Sequence, residues 1–146
     1  MPDIRFNVAC TVDLQDSQKE AFLQAFVKMA HVDKCFDESE RDFICMVAGD
    51  LGLSDDVESY IFNPWGEKQI LEGLSTIKNR QIAFEVIKEL CLLAHTDNEL
   101  SDEETLFLGR VGQAMGLELE KIEAISCWVI DYIVWREQGK IIFEEV

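Results

Sequence analysis

Six carboxylates stand in two short runs of the chain: Asp33, Asp37 and Glu40 in the first, Asp97, Asp102 and Glu104 in the second. Oxygen donors at this density suit a hard divalent cation, Ca²⁺ or Mg²⁺, better than a soft metal. A histidine precedes the first aspartate of each run by two residues, His31 and His95. Imidazole beside carboxylates extends the choice to Mn²⁺ or Zn²⁺. Each of these residues also has a plainer use. A histidine at a helix end can bond the negative C-terminus. Asp37 with Glu40, and Ser101 with Glu104, have the spacing of a capping box, in which the glutamate reaches back to the cap's N–H and the cap is worth about 1 kcal/mol. Asp33 and Asp97 can close a turn through their own downstream backbone. The spacing from Asp33 to Glu40 matches the second half of an EF-hand loop, with Phe36 and Leu100 at the apolar eighth position. The first half fails: Met29 and Leu93 stand at its first position, and Lys34 and Asn98 where glycine is required. The metal reading is therefore a truncated, weaker site.

The two runs belong to a longer self-match. Residues 29–53 align with 93–117 at an offset of 64 without a gap. Eight pairs are identical: Ala30/Ala94, His31/His95, Asp33/Asp97, Glu40/Glu104, Phe43/Phe107, Val47/Val111, Gly52/Gly116 and Leu53/Leu117. Average residue usage gives roughly one or two such pairs. A match of this kind predicts two helix–loop–helix units, about 17–53 and 79–117, packed with a pseudo-twofold relation because neither alone can bury its apolar face. That packing would bring the two acidic loops into one pocket, where close carboxylates attract a cation.

The elements that must position these loops read as helices. Ser17 and Glu20 form a capping-box pattern ahead of Phe22, Ala25, Phe26, Met29 and Ala30, which predicts a helix over about 17–32. The spacing of Ile44, Val47, Ala48 and Leu51 predicts a second over about 38–51, closed by Gly52 in the left-handed conformation with Leu53 packing back. Ser54 as a cap predicts a short helix to Phe62. Pro64 suits the first turn of another, about 64–75. Ile82, Val86, Leu90, Leu93 and Ala94 mark a helix over about 79–96. Leu106, Phe107, Leu108, Val111 and Met115 mark one over about 102–115, again closed by Gly-Leu. The last helix begins near Glu118 and is expected to end near Gln138, before Gly139. Trp128 and Trp135, seven apart on it, are expected to pack. Residues 4–12 alternate like a strand, with Ile141–Phe143 as a possible partner strand. The expected fold class is all-α: about seven helices in a single domain over 1–146.

Composition narrows the function. With 29 acidic against 13 basic residues the net charge is −16. Such a surface repels phosphate backbones and anionic membranes, which argues against nucleic-acid binding, and it favours cations or basic partners. Five cysteines, an odd number with no CxxC pair, predict reduced thiols in a reducing compartment, most of them small core residues. No stretch reads as a signal peptide or membrane span. No nucleophile–base motif or Gly-rich phosphate loop accompanies the acids, so a hydrolase is disfavoured.

The segments Ala30-His31-Val32-Asp33-Lys34-Cys35-Phe36-Asp37-Glu38-Ser39-Glu40 and Ala94-His95-Thr96-Asp97-Asn98-Glu99-Leu100-Ser101-Asp102-Glu103-Glu104 resemble the duplicated motif of the TerB-like family of tellurite-resistance proteins. The resemblance spans about residues 15–138. It implies a helical bundle with an acidic, metal-binding surface, in a cytoplasmic setting of bacterial stress response beside membrane partners. It also implies a module of the kind attached to DnaJ-type co-chaperones. The motif residues it carries over are Asp33, Glu40, Asp97 and Glu104. Glycine after each aspartate is replaced by Lys34 and Asn98, and the positive charge of Lys34 is expected to make the second loop the better binder. The expectation is a non-enzymatic, cytoplasmic module that binds a divalent cation through Asp33, Asp37, Glu40, Asp97, Asp102 and Glu104. The alternative is an acidic scaffold that binds a basic protein partner and no metal.

Overall fold

The computed structural model describes residues 14–32, 38–95 and 101–144. Within them the chain is all-helical. The helices are α1 (Asp16–Val32), α2 (Glu38–Leu51), a 3₁₀ turn (Ser54–Asp56), α3 (Val57–Phe62), α4 (Glu67–Ser75), α5 (Arg80–Ala94), α6 (Asp102–Ala114) and α7 (Leu119–Phe143). The expected strand over 4–12 lies outside the described residues. Its expected partner, Ile141–Phe143, is helical.

Helix α1 is the centre of the bundle. Ala21 to Val27 are buried in unbroken succession, as are Met29 and Ala30, so no face of the helix is left to water there. It packs on α2, α3, α4, α5 and α6. Burial all round requires close approach somewhere, and Gly73 on α4 supplies it: a Cβ at that position would lie 2.6 Å from the Ala21 Cβ. Gln24 is the polar exception in this stretch. Its Oε1 accepts from the Trp65 N–H at 2.9 Å and its Nε2 donates to the Tyr60 carbonyl at 3.2 Å. The first belongs to the α3–α4 connection and the second to the last turn of α3, and burial without partners would be costly for each of them.

Helix ends follow local chemistry. Asn79 caps α5, its Oδ1 accepting from the N–H groups of Gln81 and Ile82 at 2.8 and 3.3 Å. Gly52 and Gly116 take φ of +76° and +81°. Behind them Leu53 N–H bonds the Ala48 carbonyl at 2.8 Å and Leu117 N–H bonds the Gly112 carbonyl at 2.9 Å. These are Schellman closures, and the same bonds recur at the offset of 64.

Several expectations are corrected. At the start of α1, Gln15 and Gln18 replace Ser17 and Glu20: the Gln15 N–H donates to Gln18 Oε1 at 2.8 Å. Ser54 lies inside the 3₁₀ turn and caps no α-helix. Pro64 stays in the α3–α4 connection, and α4 begins three residues later with Gly66 at the cap, because Gln24 holds the Trp65 backbone. Helix α5 ends at Ala94. Gly139 does not stop α7. One helical glycine costs about 1 kcal/mol, too little to outweigh good helix formers on either side. Trp128 and Trp135 are not core residues: they are 51% and 54% exposed.

Candidate functional site

The six predicted ligands divide into two groups. Asp33, Asp37 and Asp97 lie outside the described residues, so the structure does not bring the two acidic loops together or hold them apart. The other three sit in the first turns of the helices that follow the loops. Asp102 opens α6 and is exposed. Glu40 and Glu104, at the third position of α2 and α6, are each only 3% exposed. Glu104 is engaged in a complete capping box: its Oε1 accepts from the Ser101 N–H at 2.9 Å, and Ser101 Oγ accepts from the Glu104 N–H at 3.1 Å. The plainer reading of Glu104 is thus realised, and one of its oxygens is committed to its own helix start.

The histidines differ. His31 is exposed in the last turn of α1, with Nδ1 2.7 Å from the Val27 carbonyl. A carbonyl only accepts, so Nδ1 carries the proton. His95 caps the C-terminus of α5, its backbone N–H bonding back to Cys91. Its Nε2 is shielded from water and has no hydrogen-bond partner. Among the described residues no three His, Cys, Asp or Glu side chains come together as a metal site.

Charges also lie where the sequence reading did not look. On α5, Lys88 is buried and its Nζ sits 2.6 Å from Glu85 Oε2, and the neighbouring Glu89 is fully buried. Apolar residues cover most of the circumference of α5, but Gln81, Glu85, Lys88 and Glu89 fall together on the remaining strip, as on a surface helix, so the spacing gives no sign that Lys88 and Glu89 are buried. Other ion pairs tie elements at the surface. Arg110 binds both oxygens of Glu67 at 2.8 and 2.9 Å, joining α6 to α4. Arg80 meets Glu118 at 3.0 Å, and Arg41 pairs with Glu58. The Arg80 bond holds the Glu118 carboxyl below its ordinary value.

The cysteines sort by burial. Cys91 is buried on α5, Cys45 half-buried and Cys127 exposed, so the expected core role does not extend to Cys127. Burial pushes the Cys91 thiol up to about 12, against a smaller opposing effect of a hydrogen bond with Ser126. Among the described residues no helix is long and apolar enough to cross a membrane. No family model matches the chain, and no curated protein or solved structure matches it.

Proposed function

We propose that the chain is a non-enzymatic, cytoplasmic binding module whose acidic body docks a basic protein partner. The observation that carries this reading is how the bases are used. Arg41, Arg80, Lys88, Arg110 and Lys140 are each paired with a carboxylate of the same chain. These are five of 13 bases set against 29 acids, so carboxylates stay in large excess, and Asp55, Asp56, Asp102 and Glu103 are among those that face outward. A field of one sign speeds encounter with a partner of the other and excludes phosphate backbones. The motif resemblance to the TerB-like family implies an acidic, metal-binding surface, and also a module of the co-chaperone-attached kind, to which this reading corresponds. The test is a titration with a labelled basic helical peptide at physiological salt, beside an acidic control. Saturable binding of the basic peptide alone, lost on reversing Asp55, Asp56, Asp102 and Glu103 to lysine, supports the reading. Equal or absent binding of the two peptides refutes it.

A second reading is a divalent cation, Ca²⁺, Mg²⁺, Mn²⁺ or Zn²⁺, held by Asp33, Asp37, Glu40, Asp97, Asp102 and Glu104 in a stress-response role. The observation favouring it is His95: a water-shielded imidazole nitrogen with no hydrogen-bond partner stands two residues before Asp97. An ion at a hundred times its Kd adds roughly 2.7 kcal/mol of stability. The melting temperature then rises on adding the ion and returns in chelator, and Asp33→Asn/Asp97→Asn removes the shift. Identical melts in chelator and in all four ions exclude this reading.

A further inference from the structure

Helix α7 has two apolar faces, and the bundle covers one. Ile122 and Val129 are buried, with Ile125 and Ile133 half-buried beside them, and these residues pack α7 on α5 and α6. On the opposite side Ala124, Cys127, Trp128, Val134, Trp135, Ile141 and Ile142 recur at spacings of three, four and seven and are all exposed. From Val134 to Phe143 every residue except Gly139 is exposed, so about 15 Å of helix runs on past its packed part. Nearly three turns of helix gain little stability alone in water. This pattern is a coiled-coil seam without its second strand.

We infer that this outer face of α7 pairs antiparallel with the α7 of a second copy of the chain. Three features of the seam select that occupant. First, its line Ala124, Trp128, Asp131, Trp135, Gln138, Ile142 holds two hydrogen-bond acceptors and two indoles, which only donate. In an antiparallel pair centred at the level of Ile133, each acceptor meets an indole: Asp131 faces Trp135 of the second copy and Gln138 faces Trp128. Ala124 then receives Ile142, and Val134 meets Val134. A parallel pair sets Asp131 against Asp131, which like-charge repulsion opposes. Second, the chain's charge is not on this helix. Glu120, Glu123, Asp131 and Glu137 stand against Lys121, Arg136 and Lys140, so α7 is nearly neutral while the whole chain carries −16. Charges on the distant parts of two bodies are screened beyond about 8 Å at physiological salt. Third, the area is of the right order. Two half-exposed indoles with Val134, Ile141 and Ile142 offer on the order of 500 Å² before flanking residues are counted, toward the ~800 Å² per partner of a standard interface. The pairing leaves the acidic bodies pointing outward, so it stands or falls independently of what those bodies bind.

Sedimentation of the whole chain over a micromolar concentration series tests the pairing. A dimer is expected, and Trp135→Glu should weaken it at least a hundredfold while the rest of the bundle still unfolds cooperatively, any loss of helical circular dichroism being no larger than residues 134–143 can account for. A chain that stays monomeric throughout the series, or a dimer indifferent to Trp135→Glu, overturns the inference. Orientation is read by crosslinking in a background with Cys10, Cys35 and Cys45 changed to serine. The antiparallel register places Cys127 beside residue 141 of the second copy. Mild oxidation of the Ile141→Cys variant should therefore give a covalent dimer linked from 127 to 141. A 127-to-127 link overturns the antiparallel arrangement.

Discussion

A single buried amide does much to fix how α1 meets the α3–α4 connection. Gln24 satisfies the Trp65 N–H and the Tyr60 carbonyl together, from inside the core. Gln24→Leu keeps the volume and strands both groups, and an unsatisfied buried backbone group costs about 1–3 kcal/mol. Chemical denaturation should register a loss of about 2 kcal/mol or more, against a much smaller loss for a substitution at exposed Ser59. The thiols give a second residue-scale expectation. At dilutions where the chain is monomeric, native protein should react with maleimide at Cys127, while Cys91, buried and with its thiol raised to about 12, reacts only after unfolding. The same shift has a sign in stability. The folded chain keeps this proton longer than the unfolded chain, whose thiol ionises near pH 8.5. The contribution is therefore whole below about pH 8.5 and is lost as pH rises from there toward 12. Cys91→Ala should flatten that part of the stability profile.

At the scale of elements, the boundaries legible in sequence were those set by local chemistry. Glu38–Leu51 with its Gly52-Leu53 closure, and the Ser101/Glu104 box that opens α6, need only residues within one turn of each other to be read. The boundaries misread were those set from elsewhere. Pro64 would suit a helix start, but Gln24, forty residues earlier in the chain, holds the next backbone N–H. Gly139 looks like a stop, yet a glycine ends a helix only where the chain needs a positive φ, and among the described residues only Gly52 and Gly116 have one. The half-exposed tryptophans were misread for a related reason: periodicity shows that residues share a face, and does not show whether anything covers it. Glycine at 73 is a packing requirement invisible in sequence. Gly73→Ala raises helix propensity by up to about 1 kcal/mol, but its Cβ would press on the Ala21 Cβ and on the α1 backbone behind it. Overpacking of this kind costs about 1–3 kcal/mol. A melting temperature below that of the parent is expected, and a rise would show that α1 and α4 can move apart freely.

For the whole molecule, the all-helical class was legible because apolar spacing and end signals agreed along most of the chain. The acidic loops were legible as a pattern, through the repeat, but not as a site. Glu104 shows why: the spacing that suits a ligand also suits a capping box, and the box is what forms. What the molecule as a whole presents is a helical body with a large excess of carboxylates, five of its bases paired within the chain, beside one nearly neutral helix. The most direct test of the binding account is the salt dependence of basic-peptide affinity. Affinity for the acidic body should persist at physiological salt and fall steeply as salt is raised, and it should already be lost at physiological salt when Asp55, Asp56, Asp102 and Glu103 are reversed to lysine. An affinity that ignores both salt and charge reversal would contradict it.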